Sequence, residues 1–141
     1  MSKKVRLPKD LTKSRNVRKN FQDSSNDFIC WQFSLMDMGG PFSFSNITID
    51  DWLLILNKMK QWETMTWNSI AGHRDHSIRV DTLSPEALKR LAQINLDDID
   101  EVFSLHIDGK KRLFGIRDRN IFRVLWWDKG HQVCPSHKKH T

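Results

Sequence analysis

Apolar positions in this chain change their period near residue 102, and the change separates two kinds of predicted element. Upstream, Trp52, Leu53, Ile55, Leu56, Met59, Trp62 and Met65 recur near helical spacing, with Asn57, Lys58, Lys60 and Gln61 on the other side. This pattern predicts an amphipathic helix ending near Glu63. Thr48 followed by Asp51 resembles a capping box with a shorter acid than the usual Glu. Ser84, Pro85 and Glu86 supply an N-cap hydroxyl, a proline suited to the first helical position and an acid at the positive end of the dipole. They predict a second helix that turns Leu88, Leu91 and Ala92 inward and stops before Asn95. Met65 to Ile70 reads as a further short helix. Phe28 to Met36, bounded by Asp27 and by Gly39-Gly40-Pro41, reads as a strand, and Ser77 to Val80 as a short one.

From Val102 the period is two. Val102 to Ile107, Lys111 to Arg117 and Ile121 to Trp127 are strands, joined at Asp108-Gly109 and at Asp118-Arg119-Asn120. The expected fold class is α+β: a small antiparallel sheet, made of this C-terminal three-stranded meander plus one or two earlier strands, packed against two or three helices over one face. Alternation sets Ser104 and His106 apart from Phe103, Leu105 and Ile107, and groups Arg123 with Ile121, Leu125 and Trp127. How these faces match between strands depends on register. The tryptophans and methionines read as core residues. Of the adjacent Trp126 and Trp127, one ring is expected in the core and one against a helix, although exposed rings would stack on single-stranded bases.

Charge divides the chain differently. Residues 1–19 carry a net +7 and residues 129–141 a net +3, while residues 20–128 are net −4. The chain thus has three zones: a basic disordered arm over 1–20, a single α+β domain over 21–134, and a basic, His-rich tail over 135–141. Such an arm either solubilises or binds phosphates without reading sequence. Inside the acidic middle, Lys110 to Arg123 has six basic residues against Asp118 alone, which points to an anionic partner. No run of apolar residues approaches the ~20 of a membrane helix, the N-terminus lacks the apolar core of a secretory signal, and two cysteines are too few for a disulfide framework. A cytoplasmic location with no membrane partner is expected.

Within the meander, His106, Arg112 and Arg123 interrupt strands that are otherwise apolar. They either cover a half-solvated sheet or line a concave anionic site. Here Ser104 to Ile116, followed by Asn120 to Trp127, resembles the closing strands of RelE/ParE-like toxins, particularly the YoeB-type branch, over about residues 84–134. Arg112 matches the family's strand arginine, and His131 lies near its terminal histidine.

The resemblance implies a toxin that cleaves messenger RNA at the ribosome without a metal or other cofactor, the 2′-hydroxyl attacking the neighbouring phosphate, with an antitoxin as a further partner. Arg112, helped by Lys110 or Lys111, would stabilise charge, His131 would be the acid, and His106 or Glu101 the base. Lys110, Lys111, Arg117, Arg119, Arg123, Lys138 and Lys139 would hold nucleic acid. The alternative on the same scaffold is a ParE-like, non-enzymatic inhibitor or a nucleic-acid- or protein-binding module.

The segment from Gly130 to Thr141 raises one more chemistry, because His131, Cys134, His137 and His140 are zinc-ligand types spaced by three. Structural zinc joins ligand pairs across a separating element, which these four lack, so no metal is expected there unless Cys30, His73 or His76 completes a site. His131, with Cys134, is expected at the sheet's edge, and His137 to His140 in the basic extension.

Overall fold

Three hydroxyl side chains fix the helix starts in the computed structural model, which describes residues 24–135 except His73. Thr48 Oγ1 accepts from the Asp51 N–H at 3.1 Å to open α1 (Ile49–Trp62). Thr66 accepts from Ser69 at 3.3 Å to open α2 (Trp67–Ile70), and Ser84 from Ala87 at 3.2 Å to open α3 (Pro85–Gln93). Asp51 does not complete a capping box, because its carboxylate turns to Lys111 Nζ at 2.7 Å. The basic arm over 1–20 and His73, His137, Lys138, Lys139 and His140 lie outside the described residues.

Among the described residues five strands form one sheet, so the fold is α+β: β1 (Cys30–Gln32), β2 (His76–Arg79), β3 (Glu101–Asp108), β4 (Lys111–Asp118) and β5 (Ile121–Asp128), in the order β1-β5-β4-β3-β2. The meander is antiparallel as expected, but β1 runs parallel to β5, so the sheet is mixed. The strand expected over 28–36 shortens to Cys30–Gln32 because the chain turns at Phe33, whose carbonyl accepts from Met36 at 3.1 Å. Beyond that turn, the Asp37 N–H donates to the Leu125 carbonyl at 2.9 Å and the Phe42 carbonyl accepts from Trp127 at 3.0 Å. The loop thus satisfies the upper half of the β5 edge that β1 leaves unpaired. Among the described residues no helix is long and apolar enough to cross a membrane.

Both sheet faces are buried, where one was expected. Ile55, Met59 and Trp62 of α1 and Trp67 of α2 pack with Phe103, Leu105, Leu113, Phe122, Val124 and Trp127 on the first face. Ala87 and Leu91 of α3 pack with Val102, Phe114, Leu125, Trp126 and Val133 on the second. Some assignments within the helices shift accordingly. Leu53 and Leu56 point outward from α1, and in α3 Ala87 takes the inward place expected of Leu88 and Ala92.

The alternation expected for β5 is broken by one residue. Gly115 pairs with Val124 but Phe114 pairs with Trp126, so Leu125 is an extra residue in β5. Leu125 and Trp126 both join the second face, and Trp127 passes to the first. Both tryptophans are buried, at 0% and 6% exposure, so neither offers a ring for base stacking. A side chain at Gly115 beside the bulge would meet the Arg123 carbonyl and the Phe122 ring.

A buried carboxylate joins the loop, α3 and β5. Asp37 accepts from Arg90 Nη2 at 2.7 Å and Nε at 2.9 Å, from Trp126 Nε1 at 2.9 Å and from the Gly39 N–H at 3.1 Å. Burial raises its pKa, but these donors outweigh burial and hold it below the ordinary carboxylate value. Gly40 is held to glycine twice over: its φ is +78°, and a side chain there would strike Arg90.

Arg90→Ala would leave Asp37 buried without its cation, and should cost about 3–5 kcal/mol at pH 7 by urea unfolding. A depressed folded pKa contributes stability that is present above the unfolded value, about 3.9, and lost as the pH falls through the folded one. The difference between the two proteins should therefore shrink below pH ~4.

Candidate functional site

Register across three strands builds the candidate site. His106 of β3 pairs with Arg112 of β4, and Arg112 pairs with Asp128 of β5, so the three share one row on the second face. The row crosses the sheet at the end where the β3–β4 hairpin turns. Asp75, just before β2, accepts from the His106 N–H at 2.8 Å, which brings the Arg74–Asp75 segment to the same corner.

The Gly109 carbonyl organises the two basic members. It lies 3.1 Å from His106 Nε2 and accepts from Arg112 Nη1 at 2.6 Å. A carbonyl only accepts, so the neutral imidazole carries its hydrogen on Nε2 and leaves the Nδ1 lone pair unprotonated. Burial, then the Arg112 charge, lowers the His106 pKa from 6.5, against the opposing Gly109 bond and the Asp75 carboxylate. His106 is therefore neutral at pH 7. Arg112 directs Nη1 to the Gly109 and Lys111 carbonyls, while Nε and Nη2 have no hydrogen-bond partner among the described residues. That open edge of a guanidinium suits a phosphate or carboxylate. Burial lowers the Arg112 pKa and Asp128 opposes the shift, and a guanidinium is protonated at neutral pH in any protein environment.

Asp128, 2% exposed, shapes the chain beyond the row. Its two oxygens accept from the Gln132 and Val133 N–H groups, both at 2.8 Å, and the chain turns with His131 at φ +59°. His131 stands in that turn, half-buried, where the chain passes beyond the Arg112 row along the second face. Val133 is buried there and accepts from the Ser84 N–H at 2.8 Å.

Arg112, His106 and the His131 turn thus share one end of the sheet. Glu101 does not join them: it opens β3 at the opposite end, exposed and in register with Arg79 on the other face. Lys111 also faces away, paired with Asp51, which Lys129 approaches at 3.6 Å. The Lys111 hydrogen bond holds the Asp51 carboxyl below its ordinary pKa despite burial. Arg117 stacks over the Trp67 ring at 4.1 Å, and Arg119 and Arg123 meet Asp118 at 3.6 and 3.0 Å. The basic run is therefore split between two faces and largely occupied within the chain, leaving Lys110 exposed at the hairpin turn.

Cys134 lies against Thr82, its Sγ 3.7 Å from the carbonyl oxygen, whereas Cys30 lies beside Asn120. Among the described residues no three His, Cys, Asp or Glu side chains are grouped to hold a metal ion. Sequence reasoning missed Arg74, Asp75 and Asp128. Only Asp128, an aspartate closing an apolar strand two residues before a glycine, carried a local signal. No family model matches the chain, and no curated protein or solved structure shows significant similarity to it.

His106 should titrate below pH 6.5 by imidazole NMR, and Arg112→Ala should raise its pKa by removing the neighbouring positive charge. The unfolded chain binds the His106 proton more readily, so this group's contribution to stability is complete above pH ~6.5 and falls as the pH drops below it.

Proposed function

We propose that the His106–Arg112 corner is the RNA-cleaving site of a RelE-like toxin, a metal-independent endoribonuclease acting on messenger RNA at the ribosome. The observation that carries this reading is the pairing, on one sheet face, of Arg112, whose Nε and Nη2 have no hydrogen-bond partner among the described residues, with His106, which meets the Gly109 carbonyl through Nε2 and whose Nδ1 has no such partner among them. Arg112 holds the scissile phosphate and offsets charge that develops on the phosphorane, with Arg74 adding positive charge at the same corner. His106 Nδ1 takes the proton of the 2′-hydroxyl as its oxygen attacks phosphorus. His131 gives a proton to the departing 5′-oxygen, and the products are a 2′,3′-cyclic phosphate and a 5′-hydroxyl. Lys110 is placed to approach a neighbouring phosphate. Glu101 has no part, since it lies at the far end of β3.

The alternative is a non-enzymatic inhibitor or a nucleic-acid- or protein-binding module. It is favoured by the tethering of both His106 and Arg112 to the Gly109 carbonyl, an arrangement that also makes a rigid anion-binding notch.

Purified Arg112→Ala should cleave ribosome-bound message about 10²–10³-fold more slowly than the parent, by analogy with removing one oxyanion-stabilising donor. His106→Ala should lose about 10²–10⁴-fold. Cleavage at the parental rate in both would sink the catalytic reading. Growth inhibition that depends on Arg112 while RNA stays intact would favour binding.

A further inference from the structure

The outward face of α1 carries an apolar stripe that nothing in the described chain covers. Among the described residues seven large apolar side chains are more than a third exposed, and three of them, Ile49 at 67%, Leu53 at 51% and Leu56 at 36%, lie on this one helix. Their spacing of four and three residues aligns them along the pole opposite the buried Asp51, Ile55, Met59 and Trp62. The stripe is therefore continuous, and Lys60 extends it by one further turn.

Charge at its two ends identifies the partner that fits. Asp50 lies at the N-terminal end and Lys60 at the C-terminal end, both exposed, and neither makes an ion pair among the described residues. Lys58, by contrast, is engaged over the Trp62 ring at 5.5 Å. A second α1 laid antiparallel sets Leu53 against Leu56 of the other copy and brings Lys60 within a turn of Asp50 of that copy, twice over by symmetry. Parallel packing would oppose Asp50 to Asp50 and Lys60 to Lys60. Antiparallel packing also opposes the two helix dipoles favourably.

We infer that α1 is a self-association surface, through which two copies of this chain pair antiparallel by the Ile49–Leu53–Leu56 stripe and its Asp50–Lys60 ends. Eleven residues of helix span about 16 Å, and three aliphatic side chains per copy fall below the ~1,200 Å² of a standard stable interface. The dimer is accordingly weak and reversible, with a Kd between about 1 µM and 1 mM. Because α1 covers the face opposite the His106–Arg112–Asp128 row, pairing leaves both rows open.

Sedimentation equilibrium on the full chain from about 5 to 500 µM, bracketing that range, tests this. The parent should pass from monomer to dimer, less readily as salt rises, and Leu53→Lys should remain monomeric with an unchanged Tm. Asp50→Lys and Lys60→Glu should each weaken association about tenfold, and an equimolar mixture of the two should restore it, since each mixed dimer regains both attractive ends. A parent that stays monomeric throughout overturns the inference. A dimer indifferent to Leu53→Lys places the contact elsewhere and also overturns it, and singles that dimerise like the parent rule out the antiparallel arrangement.

Discussion

The extra residue in β5 is the constraint on which both cores and the candidate site depend. In an unbroken ladder Arg112 would face Trp127, and the second face would receive Leu125 and Trp127. With Leu125 bulged, every later residue moves on by one: Trp126 joins Leu125, Trp127 crosses to the α1 side, and Asp128 arrives opposite Arg112. One inserted residue thus divides two tryptophans between two cores and places a carboxylate beside the arginine. Gly115 permits the close approach beside it, since a side chain there would collide with the Arg123 carbonyl and the Phe122 ring.

The loop after β1 pairs the other edge of the same strand. The Leu125 carbonyl and the Trp127 N–H both bond to this loop, through Asp37 and Phe42. Asp37 then fastens the loop to α3 and to the Trp126 ring with three charge-assisted hydrogen bonds, and a fourth, from Gly39, lies within the loop. Burying a carboxylate this deeply is tolerable only because its acceptor sites are so well filled. Stability and site geometry share one set of contacts, since the strand that Asp37 steadies is the one that delivers Asp128.

Charge in this chain serves to hold structure more than its total of +6 suggests. Lys111, Arg117, Arg119 and Arg123 alternate between faces and find partners on α1, α2 or the neighbouring turn. Arg112 differs because the two backbone carbonyls it meets take only part of its donor set. A cluster of like charges in sequence is therefore not a patch in space: strand alternation sends neighbours to opposite sides.

The features that the sequence determined by itself were those set by local chemistry. Hydroxyls at 48 and 84, Pro85 and Asp108-Gly109 fixed where α1, α3 and the first hairpin begin and turn, because caps and tight turns involve only residues a few positions apart. Periodicity separated helices from strands, and hence the α+β class, and alternation on β3 set His106 apart from the apolar positions. Arg112, His106 and His131 were legible as a group only through a resemblance. The parallel pairing of β1, the burial of both faces, the outward turn of Leu53 and Leu56, and the company kept by Arg112 were decided by tertiary structure alone. Each depends on register between segments distant in the chain, and a single bulge, which costs little locally and has no fixed residue type, reverses every face beyond it.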